Sequence, residues 1–296
     1  MAIPEDQLET WSHRGSVTQS SSTYATIKNA LEEAGSVYSN RSYKIFLQGS
    51  YGNDTNIYSE SDVDIVICTD SIFYHDLESL PQDQKEAFQA SYPNATYSWA
   101  QFKNDVLSKI LAKYPSATSL GTKAIKIAAS GNRRSADVVV AAEFCRYHKF
   151  LSRNNQEYTE GICFFNSAGN RIENYPKQHS QNCTAKHQAT NTWFKPMVRI
   201  LKNMRAKLVD DGVIARDIAP SYYIEGLLYN VPNNKFGFSY DNSFVNSINW
   251  ISAADRSRFV CANEQYYLLR ENSLVCWEPT KCDEFLKALI ELWKKW

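Results

Sequence analysis

Two aspartates one residue apart, Asp62 and Asp64, lie in the run SDVDIVIC, which otherwise reads as a buried strand. Side chains alternate along a strand, so both carboxylates point to one face while Val63 and Ile65 point to the other. Like charges placed side by side repel unless a cation lies between them, and hard oxygen donors suit Mg²⁺ or Mn²⁺. A third carboxylate, Asp137, is the only acid in its own apolar run, SADVVVA. If that run is a strand beside the first, three carboxylates converge. Two metals held about 3.5–4 Å apart by shared carboxylates are a device for in-line phosphoryl transfer. One lowers the pKa of an attacking hydroxyl, and the other holds a triphosphate and neutralises the leaving pyrophosphate. Upstream, Gly49 allows backbone to approach a phosphate, and Ser50 offers a hydroxyl and an N–H. No GK[ST] follows and no GxGxxG is present, which excludes a P-loop and a dinucleotide-binding turn.

Each part alone has a plainer explanation. A Gly-Ser turn is usually only a turn, a DxD strand can be a solvated edge, and Asp137 could cap a turn. The order is far more specific: a strand, Gly-Ser, a loop, DxD on a strand, then a distant Asp on another strand.

The elements that must position these residues can be read around them. Pro4 followed by EDQLETW reads as a helix start, and SSSTYATIKNALEEAG as a second helix stopped at Gly35. Ser42–Gln48 and Asp62–Cys68 read as strands. Phe102, Val106, Leu107, Ile110 and Leu111 recur at helical spacing. TKAIKIAA and ADVVVAAEF read as strands separated by the turn SGNRRS, with weaker extended pieces at GICFF and RIEN. PKQHSQNCTAKHQATN reads as a polar connection. A basic helix then spans Thr192 to Leu208, a short one lies in APSYYIEGLLYNVP, and a last one in TKCDEFLKALIELWKKW carries a Thr280/Asp283 capping pattern. The fold class is α/β, with a mixed-sheet half at 1–183 followed by a helical half at 184–296.

Composition sets the outer bounds. The 296 residues carry 32 Lys+Arg and 32 Asp+Glu, so net charge gives no argument for a nucleic-acid partner. No apolar run approaches membrane-spanning length and the N-terminus has no hydrophobic signal core, so a soluble cytoplasmic protein is expected. The seven cysteines form no CxxC pair and fit free thiols in a reducing compartment.

Gly49-Ser50, Asp62, Asp64 and Asp137 together resemble the polymerase-β-type nucleotidyltransferases. The longer runs LQGSYGNDTNIYSESDVDIVI, IENYPKQHSQNCTAKHQATNTWFKPMVRILKN and IAPSYYIEGLLYNVP resemble the bacterial cyclic-oligonucleotide synthases related to cyclic GMP-AMP synthase, the CD-NTases, in their clade E. MAIPEDQLETWSHRG and FVNSINWI fit that clade as well. The resemblance implies a nucleotidyltransferase core (1–183, with the N-terminal helices and a lid segment) and an oligoadenylate-synthase-like helical domain (184–296), with the active site in the cleft between them. It implies that Asp62, Asp64 and Asp137 bind two Mg²⁺ or Mn²⁺ ions, with Asp137 activating the attacking hydroxyl. Gln48, Gly49 and Ser50 are assigned to nucleotide binding, Ser50 on the donor triphosphate.

In the second half, Lys195, Arg199 and Lys202 follow i, i+4, i+7 spacing on one helix face. Such a stripe is usually a solvated face; opposite a triphosphate it becomes a row of phosphate-binding cations. The resemblance points to Lys202 and Ser221 as phosphate contacts. Tyr222 would stack on the donor base, a contact worth about 1–3 kcal/mol, or else belong to the helix core. Clade E members that prefer pyrimidines carry an Asn at the position of Asn174, whose amide can pair with uracil. Asn174 before Tyr-Pro is as readily a turn residue. The implied substrates are NTPs, UTP and ATP favoured, and the product is cyclic UMP-AMP or cyclic di-UMP. In its family setting the product acts on a separate effector in CBASS antiphage defence. A monomer with no membrane or polymeric nucleic-acid partner is expected. The rival expectations are an RNA-end nucleotidyltransferase and a non-catalytic nucleotide-binding module; the missing RNA-binding appendage opposes the first and the intact acid set the second. Cys163, His179, Cys183 and His187 include Hx₃Cx₃H, and some animal relatives carry zinc. The polar setting and the missing CxxC oppose a zinc site here.

Overall fold

The computed structural model describes residues 2–15, 17–58 and 62–296. In chain order its elements are α1 (Glu5–Ser12), α2 (Val17–Glu32), β1 (Tyr43–Leu47), the single-turn α3 (Gly49–Gly52), β2 (Val63–Asp76), α4 (Gln82–Ser91), α5 (Trp99–Lys113), β3 (Thr118–Leu120), β4 (Ile125–Ile127), β5 (Ala136–Ser152), β6 (Asn155–Phe165), β7 (Arg171–Asn174), α6 (Pro176–Ala189), α7 (Phe194–Asp210), α8 (Ser221–Tyr229), α9 (Tyr240–Ala253) and α10 (Pro279–Lys295). They form two compact units. A sheet unit is made of Thr18–Gln48 and Asp62–Pro176, and a helical unit of Met1–Val17, Gly49–Ser61 and Lys177–Trp296. Chain order alone suggested one boundary at 183/184. The helical unit instead also gathers α1, whose Leu8 is fully buried in its core, and the segment after Gly49.

In the sheet unit, the strand order is β1-β2-β5-β4-β3. β2 and β5 run parallel and the remaining pairs are antiparallel. β5 is long enough to share one edge between two partners. Its first residues pair with β4 and its later ones with β6, which pairs in turn with β7. Ile65, Val66, Ile67 and Val138 to Ala142 are all buried, which is why these runs read as almost unbroken apolar stretches. Val66, Cys68, Val139 and Ala141 share one face with Ile162, Phe164 and Ile172. The capping box of Ser98 with Gln101 starts α5, and the indole of Trp99 in its first turn donates to the Val140 carbonyl at 2.8 Å.

The helical unit is built around α7. Met197, Val198, Ile200, Leu201 and Met204 are fully buried among residues of α1, α8, α9 and α10. Trp277 anchors the base of α8, its indole donating to the Ile218 carbonyl at 2.7 Å while its ring stacks on Tyr223.

Three elements differ from the sequence expectation. The supposed polar connection is the helix α6, which buries only His179 and Cys183 and so shows no apolar stripe. β2 continues past Cys68 to Asp76 through a bulge between Thr69 and Phe73, where polar residues mask the strand pattern. α10 starts on Glu278 and Pro279 with no side-chain cap, so the Thr280/Asp283 capping pattern is not used.

Gly161 on β6 marks a close approach. A Cβ there would lie 2.8 Å from the Asn174 carbonyl oxygen and 2.9 Å from the Tyr175 ring. Gly161→Ala is expected to displace the end of β7 and cost about 1–3 kcal/mol. Thermal unfolding should show a melting temperature several degrees lower; an unchanged value would contradict this packing.

Candidate active site

The register of β2 against β5 sets Asp64 directly beside Asp137. Asp62 precedes β2 by one residue and shares parity with Asp64, so all three acids fall at the same end of neighbouring strands, on the face that carries Val66 and Val139. The expected adjacency of the two strands is therefore present. The carboxylates are individually engaged. Asp62 Oδ1 accepts the Ser135 hydroxyl, and Asp137 Oδ2 lies 3.4 Å from Lys126 Nζ, its register partner on β4. Burial pushes the Asp137 carboxyl above the usual range; the Lys126 charge opposes this and the Asp62 charge adds to it. Asp62, Asp64 and Asp137 thus share a strand end and a face, but their carboxylate oxygens are not gathered into a close three-ligand set. Lys126 was not singled out from the sequence, although the alternation in AIKIAA puts it on the face opposite Ile125 and Ile127.

The polar ends of the sheet unit carry two further predicted residues. The Gln48 backbone N–H donates to the Asp64 carbonyl at 3.0 Å, while its side-chain Oε1 is buried with no hydrogen-bond partner. Asn174 ends β7, and its Oδ1 accepts the Tyr175 N–H at 2.9 Å.

In the helical unit, Gly49 opens α3 with φ of 64°, a conformation that favours glycine. The segment that follows is not a loose linker: Asn53, Thr55, Asn56 and Ile57 are all buried. The Asn53 N–H donates to the Gly49 carbonyl and the Thr55 N–H to that of Ser50. Residues 59–61 of the connection to Asp62 lie outside the described residues.

The basic stripe of α7 is not a solvated face. Lys195, Arg199 and Lys202 are buried, and each reaches this segment. Lys202 Nζ donates to the Thr55 carbonyl at 2.8 Å and Arg199 Nη1 to the Asp54 carbonyl at 2.6 Å. Lys195 Nζ lies 3.4 Å from Asp54 Oδ2, whose other oxygen meets Arg14 at 2.9 Å. Burial lowers the Arg199 pKa to about 10, with the Arg14 charge adding to the effect, so it stays charged. Ser221 opens α8 and accepts from Arg205 at 3.2 Å. One face of Tyr222 is stacked on the His179 ring at 4.8 Å, and its hydroxyl accepts from Asn263 at 2.9 Å.

Among the described residues, the one set of three potential metal-ligand side chains gathered within 4.8 Å is His179, Cys183 and Glu225. The sequence motif had paired His179 and Cys183 with His187 and Cys163. His187 instead accepts the Lys195 N–H on Nδ1 at 3.3 Å, and Cys163 is a buried residue of β6. Glu225 was missed because a single acid in YYIEGLL shows no partner nearby in sequence. It is 2% exposed and belongs to a hydrogen-bonded cluster: His179 Nε2 at 2.5 Å, Asn53 Nδ2 at 3.1 Å and the Thr55 hydroxyl. Burial alone would raise its pKa, but the bond from His179 and the charges of His179 and Lys202 outweigh that and hold it below the usual range.

A mixed sheet with acids at one strand end, joined to a helical unit, is the α/β architecture of a nucleotidyltransferase. A family profile described as the cGAS/DncV-like nucleotidyltransferase C-terminal helical domain matches residues 181–294. The chain is 38% identical over 299 residues to a protein named cyclic UMP-AMP synthase from Rhodothermus marinus, covering 100% of this chain and 99% of that one. It is 33% identical over 303 residues to the cyclic nucleotide synthase CdnE01 of Staphylococcus haemolyticus, covering 100% of each. The solved structure of the Rhodothermus marinus CdnE c-UMP-AMP synthase with Apcpp and Upnpp superposes with a TM-score of 0.88 at 36% identity, over 99% of this chain and 97% of that one. The chain belongs to the CdnE-like CD-NTases, a family of nucleotidyltransferases. No described helix is long and apolar enough to cross a membrane.

Burial, with the charges of Lys195 and Arg199, lowers the His187 pKa from 6.5 to about 4. As pH falls from 6.5 towards 4, the unfolded chain takes up a proton that the folded chain refuses, so stability is lost across that window. The melting temperature should fall between pH 7 and pH 5, and less steeply in His187→Gln. Equal slopes in the two proteins would contradict the assignment.

Proposed function

We propose that this chain is a cyclic dinucleotide synthase. It joins two NTPs by two successive nucleotidyl transfers, each releasing pyrophosphate, and it uses UTP, giving cyclic UMP-AMP or cyclic di-UMP. The observation that carries this reading is the register that sets Asp64 beside Asp137 with Asp62 on the same face. It stands in a chain that matches a named cyclic UMP-AMP synthase from end to end.

Asp62, Asp64 and Asp137 would hold two Mg²⁺ or Mn²⁺ ions, which when bound acidify the attacking hydroxyl and neutralise the departing pyrophosphate. The residues divide the remaining work. Asp137, whose carboxyl is raised by burial, is suited to take the proton of the acceptor hydroxyl once it is ionised. Gln48, Gly49 and Ser50 receive the donor triphosphate. Lys195, Arg199 and Lys202 bear on it by fixing the segment behind Ser50, and Ser221 supplies a further hydroxyl. Tyr222 stacks on the donor base, with His179 backing its other face. Asn174 reads the uracil edge, which fits its place at the end of β7. The product would serve as a second messenger in antiphage defence, acting on a separate effector, with synthesis in the cytoplasm by a monomer.

Labelled NTPs with Mg²⁺ or Mn²⁺, followed by phosphatase, test the reading. A phosphatase-resistant dinucleotide that requires UTP is expected. Product only with added RNA, or none, would overturn it. Asp64→Asn should lower turnover by at least a thousandfold while the melting temperature stays within a few degrees, as expected for loss of electrostatic stabilisation in the transition state. Robust product from that variant would overturn the metal assignment. Replacing Asn174 by Ser should shift base preference away from UTP in single-nucleotide assays; an unchanged preference would remove Asn174 from base reading.

A further inference from the structure

Asn53 to Asn56 are tethered from several elements of the helical unit. The Asn53 and Thr55 side chains meet the two oxygens of Glu225, and the Asp54 and Thr55 carbonyls accept from Arg199 and Lys202. The Asn56 carbonyl accepts the Gly15 N–H at 3.1 Å, and a Cβ on Gly15 would lie 2.7 Å from Ile57 backbone. Arg199 and Lys202 act on backbone oxygens. Asp54, within the segment, pairs its carboxylate with Arg14 and Lys195, whereas the buried carboxylate of Glu225 grips side chains at two positions of the segment. Those two positions are the ones whose N–H groups hold the Gly49 and Ser50 carbonyls, at 3.1 and 2.9 Å. Glu225 is in turn fixed by His179, whose ring lies against Tyr222 on the same helix as Glu225.

We propose that Glu225 is a positioning residue for the donor nucleotide: through Asn53 and Thr55 it sets the Gly49-Ser50 turn, and through His179 it sets the face of Tyr222. One buried carboxylate thereby couples the phosphate-binding turn to the base-stacking ring. This rests on the assignment of Ser50 and Tyr222 to the donor NTP made above. An unpaired partner left in a buried polar cluster is costly, so removing the charge must loosen the segment or move its side chains.

Two variants separate this role from a purely structural one. Glu225→Gln keeps the shape and removes the charge. Thr55→Val removes one hydroxyl and leaves the Glu225–His179 bond in place, so it carries the test if the first variant folds poorly. Amide exchange across residues 49–57 and steady-state kinetics are measured together. Both variants should exchange faster in 49–57 with the sheet unchanged. The KM for the donor NTP should rise at least tenfold in Glu225→Gln and several-fold in Thr55→Val, with a smaller change in kcat, and Thr55→Ser should restore both. Faster exchange with an unmoved KM would overturn the positioning role, as would a lower melting temperature with unchanged exchange and kinetics. Wild-type protein that binds no NTP would overturn the donor assignment itself. That outcome is recognised separately, because the exchange difference between wild type and variants would persist.

Discussion

The parallel pairing of β2 with β5 imposes the constraint on which everything else depends. Parallel neighbours in register put identical side-chain directions side by side, and here the residues so matched are Asp64 and Asp137. Burial raises the Asp137 carboxyl, and the charge of Asp62, from the same strand end, adds to the effect. No requirement of strand stability asks for Asp64 beside Asp137, since apolar residues would serve both strands better. Long, doubly buried apolar runs lie immediately downstream in both strands and keep the strand ends in place. Lys126, from the next strand, offsets the charge on Asp137 only in part, and the carboxyl remains above its usual range.

The helical unit solves the opposite problem. Its central helix buries four cations, Lys195, Arg199, Lys202 and Arg205, that an ordinary core would exclude. Their partners are mostly backbone carbonyls, from Ser12, Asp54, Thr55 and Ala219. Cations used in this way shape a chain segment. The segment they shape follows Gly49-Ser50, and the buried carboxylate of Glu225 ties it to α6 and α8. The connection between the two strands is therefore a built part of the helical unit from Gly49 to Ile57.

Much of this was legible in the sequence because it rests on local pattern. The doubly buried strands announce themselves as apolar runs, and Asp62, Asp64 and Asp137 stand out as the charges that break them. The same logic located α5, α7 and α8. What escaped has no local signature. α6 is polar on nearly every face because its two buried residues, His179 and Cys183, are themselves polar or polarisable. The cations of α7 looked like a solvated or ligand-facing stripe, because the carbonyl partners of Arg199 and Lys202 lie 145 and 147 residues earlier in the chain. Glu225 meets Thr55 across 170 residues of sequence, and only the fold brings them together. Hydrogen bonds to backbone leave no trace in residue types, so a buried cation can be read from sequence only as a charge in need of a partner.

Cyclisation by repeated nucleotidyl transfer is the central claim, and the ratio of pyrophosphate to cyclic product tests it most directly. Purified protein with UTP, ATP and a divalent metal should release two pyrophosphates for every phosphatase-resistant dinucleotide, with a linear triphosphate intermediate that appears early and then declines. One pyrophosphate per turnover, with products that phosphatase degrades and no cyclic species at long times, would contradict the account.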